Sequence, residues 1–328
     1  MRRTVVRVDG LVKRYGQLVA VDHVSFTVDE GEIFGLLGPN GAGKTTTLEI
    51  LEGLRRPDQG LVEVAGHSVI HEPRAVRASI GVQLQDAGLF DLLNVQETLE
   101  TFAAFHQKRL PVGEVLERVG LAGQRRVLVR DLSGGQRQRL SVALALINDP
   151  RIIFLDEPTT GLDPQARRNL WDVIRQIRQE GRTLILTTHY MEEAEVLCDR
   201  VAIMDRGRIL AMDRPDRLVA QHAPGAWVVL EVPSMAHAAA VPGRQGPQAS
   251  TGPTDVAELL RRLPAVESLA ATSADGAVVR LRTLDVPATL RGLSLLQESQ
   301  GLTFRSLRVE QPNLEDVFLQ LTGRELRE

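Results

Sequence analysis

Eight residues, Gly38-Pro39-Asn40-Gly41-Ala42-Gly43-Lys44-Thr45, set glycines, one lysine and one threonine at the spacing Gly, four residues, Gly-Lys-Thr. That spacing suits phosphate chemistry. Glycines let successive backbone N–H groups turn inward around phosphate oxygens, and a helix start adds partial positive charge. Lys44 would reach the β- and γ-phosphates of a nucleotide, and the Thr45 hydroxyl would ligate Mg²⁺. The pattern carries meaning only between a strand and a helix. Here the apolar run from Ile33 to Leu37 precedes it, and Thr46-Thr47-Leu48-Glu49-Ile50-Leu51 follows at helical spacing. Lys13, Lys44 and Lys108 are the only lysines among 39 basic residues. A compact ammonium at the one position where it suits a phosphate loop is therefore a specific choice. A Gly-rich strand-to-helix turn without function is the plainer alternative.

A second set of polar residues would meet the same ligand. Ile152-Ile153-Phe154-Leu155-Asp156-Glu157-Pro158 is an apolar run ending in two carboxylates. It predicts a buried strand with its acids at the carboxyl end, the edge where ligands sit in open α/β sheets. Beside a Mg²⁺-nucleotide, Asp156 would organise the metal and Glu157 would activate water. Thr183 to Thr188 predicts another buried strand, with His189 at its end as a candidate γ-phosphate sensor. Ile80 to Gln85 predicts a strand ending on a polar residue. Tyr15 lies on a turn ahead of the phosphate loop and offers an adenine a flat face. Leu132-Ser133-Gly134-Gly135-Gln136 opens a helix. Ser133 suits its N-cap, but two glycines cost about 1 kcal/mol each in a helix. Their placement points to close backbone approach by an anion.

Composition bounds the rest. A chain of 328 residues suggests about two domains. Aromatics are 4% and the net charge is −3 with both signs mixed, which gives no nucleic-acid footprint. Cys198 is the only cysteine, so no internal disulfide forms. No run reaches 18 apolar residues and the N-terminus lacks a signal-peptide pattern. Work at a membrane would go through a partner.

Residues 5–28 alternate as short antiparallel strands. Helical spacing covers 92–107 and 112–121, the LSGGQ helix runs to Pro150, and Gly161-Leu162-Asp163-Pro164 opens a helix ending near Glu180. Past residue 220 a β-α-β-β-α-β order resembles a ferredoxin-like split unit. A Gly/Pro-rich insertion at 241–253 and an Asp275-Gly276 hairpin turn interrupt it.

The ordered motifs resemble the nucleotide-binding subunit of ATP-binding-cassette (ABC) transporters, from residue 5 to about 220. The resemblance implies an α/β cassette with a RecA-like core, an N-terminal antiparallel β subdomain and a helical signature subdomain at about 87–150. It makes 1–220 the ATP-binding domain and 221–328 a smaller α+β accessory domain. It implies ATP and Mg²⁺ as ligands. Gly38, Pro39, Asn40, Gly41, Ala42, Gly43, Lys44, Thr45 and Thr46 would hold the phosphates and Tyr15 the adenine. Thr45, Gln85 and Asp156 would hold the metal, with Glu157, His189 and Gln85 catalytic. Leu132, Ser133, Gly134, Gly135 and Gln136 would face the ATP of a second subunit, with Asp163 at the dimer contact. Residues 89–95, with Leu89, Phe90, Leu92 and Leu93 close together, would receive a helix of an integral membrane permease; the plainer alternative is that these side chains pack under the helices at 92–121. The tail from Asn313 to Gly323 is similar to export-type subunits, which act at the cytoplasmic face of the membrane. A soluble non-transport ABC ATPase and an importer ATPase are the alternatives.

Overall fold

The computed structural model describes residues 3–83, 88–232, 253–271, 278–300 and 302–324. The chain divides into two compact units, Met1–Leu218 with Leu321–Glu328, and Val219–Gln320. The first unit begins with β1 (Thr4–Tyr15), β2 (Leu18–Asp29), β3 (Ile33–Leu37), α1 (Lys44–Leu51), β4 (Gln59–Val64), β5 (His67–Ser68), α2 (Pro73–Ser79) and β6 (Ile80–Gln83). Then come α3 (Val95–Ala103), α4 (Val112–Arg118), α5 (Gly134–Leu146), β7 (Ile152–Asp156), α6 (Pro164–Gln179), β8 (Thr183–Thr188), α7 (Met191–Leu197), β9 (Arg200–Asp205), β10 (Arg208–Asp213) and α8 (Pro215–His222).

Two sheets form this unit. One is antiparallel, in the order β2-β1-β4-β5. The other runs β10-β9-β3-β8-β7-β6, parallel from β9 to β6 with β10 antiparallel at its edge. Every residue of β3, β7 and β8 is buried, as the continuous apolar runs require of a strand covered on both faces. Val8 and Phe26 of the antiparallel sheet, Phe34, Leu36 and Phe154 of the parallel sheet, and Leu48 and Ile50 of α1 share one core cluster. Phe26 and Phe34 stack within it at 5.1 Å.

Register brings the chemistry together. Leu37 pairs with Thr188 and Asp156 with Thr187, so β3, β7 and β8 deliver their carboxyl ends to one edge. The expected helix at 92–107 begins at Val95 instead. Asn94 caps it by accepting from the Glu97 N–H (2.9 Å), while Glu97 accepts from the Asn94 N–H (2.9 Å). That reciprocal pair fixes a helix start and leaves 88–94 as a non-helical segment.

The second unit continues with β11 (Ala226–Glu231), α9 (Pro253–Arg261), β12 (Val266–Ala271), β13 (Val278–Thr283), α10 (Val286–Gln300), β14 (Ser306–Glu310) and α11 (Leu314–Thr322). Its antiparallel sheet has the order β12-β13-β11-β14. Val228, Leu230, Leu260, Leu281 and Leu293 make its core. The Asp275-Gly276 turn and nearly all of the 241–253 insertion lie outside the described residues.

Candidate active site

The phosphate loop joins β3 to α1, and its neighbours leave no room for side chains. A Cβ on Gly38 would strike the Met204 carbonyl oxygen, and one on Gly43 would strike that of Ala20. Gly43 also has φ 97° at the N-cap of α1, with no side chain capping the helix. The first-turn N–H groups of α1 therefore face the loop without a side-chain acceptor, the arrangement that binds anions.

Lys44 folds back over the loop. Its Nζ donates to the carbonyls of Gly38 (2.8 Å) and Pro39 (3.2 Å) and lies 3.3 Å from Glu157 Oε1. It is 4% exposed, and burial lowers its pKa against the pull of Glu157. Glu157 is the hub of the site. His189 Nδ1 lies 3.1 Å from its Oε2, an attraction when that nitrogen carries a proton. The contact is off the hydrogen-bond axis, since Nδ1 has no aligned partner. Thr160 Oγ1 donates to the same carboxylate oxygen at 3.2 Å. The imidazole, and then Lys44, hold the Glu157 carboxyl at about 2 although burial opposes them. Its backbone has φ 46°, a conformation that costs a non-glycine residue of order 1 kcal/mol or more. The Glu157 N–H is secured in that pose by Thr187 Oγ1 at 2.9 Å.

Asp156 accepts a short hydrogen bond from Thr187 Oγ1 and a longer one, 3.4 Å, from Thr45 Oγ1. Burial raises its pKa above the ordinary carboxylate value. A hydroxyl and a buried carboxylate side by side are the hard oxygen donors that Mg²⁺ takes, and a dication would bring the Asp156 pKa back down. The residues fit the ion. Gln85 lies outside the described residues.

Tyr15 ends β1 and is 41% exposed. Arg55 and Lys13 lie 5.4 and 5.7 Å from its centroid. Ser133 caps α5: its Oγ accepts from the Gln136 N–H (3.3 Å), and Gln136 Oε1 accepts from the Ser133 N–H (2.9 Å). The Gln136 carboxamide oxygen thus serves its own helix. Leu132 is buried. A Cβ on Gly135 would lie 2.8 Å from the Ala166 Cβ of α6, whereas one on Gly134 meets nothing within 4 Å. Packing within the chain therefore accounts for glycine at 135, and 134 is the open position. Asp163 is exposed and caps α6 through the Ala166 N–H (2.8 Å). Among the described residues no hydrogen bond or ion pair joins 132–136 to the phosphate loop.

Sequence reasoning missed Thr187 and Thr160, which hold the two acids. A hydroxyl interrupting the apolar β8 run just before His189 was the available signal for Thr187.

A glycine-lined loop on a helix start, with lysine, two carboxylates and histidine at one sheet edge, defines a P-loop nucleotide hydrolase. A family model described as ABC transporter matches residues 21–160. The daunorubicin resistance ATP-binding protein DrrA3 of Streptomyces coeruleorubidus is 39% identical over 100% of this chain and 98% of its own. The Nod factor export ATP-binding protein I of Ralstonia nicotianae is 40% identical over 99% of this chain and 95% of its own. The dimeric structure of a bacterial ABC transporter cassette superposes with a TM-score of 0.58 at 26% identity, over 64% of this chain and 98% of that one. The chain belongs to the ATP-binding subunits of ABC transporters, and it is an ATPase.

Proposed function

We propose that two copies of this chain, or one copy and a paired ABC subunit, close head-to-tail over two ATP molecules. Each ATP lies between residues 38–46 of one chain and 132–136 of the other, with Asp163 at the contact and Tyr15 against the adenine. The observation that carries this reading is the convergence of Lys44, Thr45, Asp156, Glu157 and His189 on one sheet edge, with the LSGGQ helix start unconnected to it in the same chain. A monomer has no use for the open Gly134.

Thr45 and Asp156, with Gln85, would hold Mg²⁺, which would supply positive charge to offset that of the phosphates. Glu157 orients the attacking water and His189 contacts the γ-phosphate. Lys44 exchanges Glu157 for phosphate oxygens when ATP binds. Glu157 then loses a countercharge and becomes a stronger base at the moment its water is in place.

The permease docks at 89–95. Phe90 and Leu92 are 55% and 74% exposed, the kind of apolar patch that marks a partner surface. Among the described residues no helix is long and apolar enough to cross a membrane; bound to that partner, the chain sits peripherally on the cytoplasmic face. The names of the two relatives, a resistance protein and an export protein, favour export over import or a soluble role. The second unit, whose four antiparallel strands have α9 and α10 between them in sequence and α11 after β14, is a ferredoxin-like accessory module following a cassette of about 220 residues.

A mixing experiment tests the shared site. Lys44→Ala removes the phosphate grip of one site half, and Gly134→Glu blocks the other half. Each variant alone should be inactive. Mixed, they form dimers with one intact pair of half-sites, so ATPase activity should partly return. A mixture as inactive as its components would defeat the composite site.

A further inference from the structure

Glu52 is a carboxyl that the hydrolytic site does not use. It follows α1 as the C-cap and is 1% exposed. Its Oε1 has no hydrogen-bond partner. Burial, with Asp156 and Glu49 nearby, pushes its pKa up to about 8. A buried carboxyl oxygen without a partner is costly, and natural structures give such groups a reason.

The reason lies in what Glu52 faces. It lines a cavity of about 450 Å³ whose apolar wall includes Leu54, Val82, Leu89, Phe102 and Leu144. Two other titratable groups share the lining, Arg77 and His106. Arg77 donates to the Gly53 carbonyl at 2.8 Å, and neither lies within ion-pair distance of Glu52. Leu54 (56% exposed), Phe90 and Phe105 (78%) continue the apolar surface outward. The cavity is therefore mainly apolar at its wall and rim, with Glu52 as its one carboxyl and Arg77, His106, Gln83, Ser141 and Asn148 as its other polar groups.

We propose that this cavity takes an amphipathic helix of the membrane partner whose apolar face carries one basic side chain, and that the lysine or arginine pairs with Glu52. The inference rests on the docking reading above and adds the chemistry of the anchor. An apolar face alone would leave Oε1 without a partner, and an acidic one would add a like charge wherever Glu52 ionises and supply no donor in its own ionised form. A donor reaching Oε1 satisfies the carboxyl, and a buried charge-assisted pair is a strong and selective contact. The anchor also has a direct line to the nucleotide. Glu52 caps one end of α1 and Lys44 begins the other, so occupation of the cavity bears on the helix that grips phosphate.

The test uses three fluorescent helical peptides of about 15 residues, identical in a Leu/Phe face but with lysine, norleucine or glutamate at its centre. Binding to the full chain is read by anisotropy. The lysine peptide should bind about tenfold or more tighter than the norleucine peptide, and the glutamate peptide weakest. In Glu52→Gln the lysine advantage should vanish while the norleucine peptide keeps its affinity, which also shows that the variant is folded. Should the variant not fold, the order of the three peptides on the wild type decides. Norleucine binding equal to or tighter than lysine, or a lysine advantage that survives in Glu52→Gln, overturns the anchor but not the docking surface. Failure of all three peptides to bind, or norleucine binding that Leu54→Asp leaves unchanged, overturns both.

Discussion

In the proposed mechanism Glu157 activates water from a strained backbone conformation, with the Lys44 ammonium and the His189 imidazole beside its carboxylate. A hydrogen bond from His189 to the charged γ-phosphate would contribute about 1.5–3 kcal/mol. His189→Ala should therefore lower turnover roughly tenfold to a hundredfold while leaving ATP affinity nearly unchanged. Fluorescent-nucleotide titration and steady-state hydrolysis would separate the two effects, and equal losses in both would contradict a γ-phosphate role. Glu52 gives a second residue-scale prediction. Its folded pKa of about 8 lies above the ordinary 4.5, so between those values unfolding releases a proton and stability falls as pH rises. Glu52→Gln is neutral throughout and lacks that slope. Its melting temperature should gain on wild type from about pH 5 to about pH 8 and level off above, by at most about 1.4 kcal/mol per pH unit. A gap that does not change with pH would refute the buried, raised carboxyl. Lys44, Asp156, Glu157 and His189 were legible in the sequence because each sits at a fixed offset from a strand or a glycine run. Glu52 was not, because a lone acid in a helical pattern shows its face only once its neighbours are packed.

At the scale of elements, α1 and α5 are two helix starts built differently. α1 begins on Gly43 with no side-chain cap, and its open N–H groups suit phosphate. α5 is closed by the Ser133–Gln136 box, leaving Gly134 as the exposed backbone. Lys44→Ala should abolish ATP binding, since the phosphates lose their main countercharge. Gly134→Glu should leave binding by single chains intact and prevent turnover, because the carboxylate meets the partner's phosphates. Nucleotide titration of both variants checks this, and matching loss of affinity would argue that position 134 acts within its own chain. Gly135 cannot serve in that test, because any side chain there meets Ala166. The buried strands β3, β7 and β8 were plain in the sequence as apolar runs. The pieces α2, β5 and α7 were not, being short elements whose stability comes from packing rather than from a local pattern. The start of α3 was misplaced by three residues for a local reason. Leu92 and Leu93 continue the apolar spacing, but the Asn94 box overrides it.

For the whole molecule the claim is that a cassette with half a site at each of two places hydrolyses ATP only as a pair and passes the motion to a membrane partner. Phe90 is more than half exposed, so Phe90→Asp should change the melting temperature little. It should nevertheless abolish co-purification with the membrane partner. Retained assembly would move the docking surface elsewhere. The proposed pairing has only an indirect signal in the sequence, the Gly-rich helix start at 133–135. Two chains meeting is not a property that one chain's periodicity can display. The most direct measurement is the mass of Glu157→Gln in solution with saturating Mg-ATP, by sedimentation or size exclusion. Without the carboxylate that activates water, turnover should fall about a hundredfold or more, and the closed pair should accumulate as a stable dimer holding two ATP. A Glu157→Gln chain that stays monomeric with ATP bound, or that hydrolyses at the wild-type rate, would contradict the account.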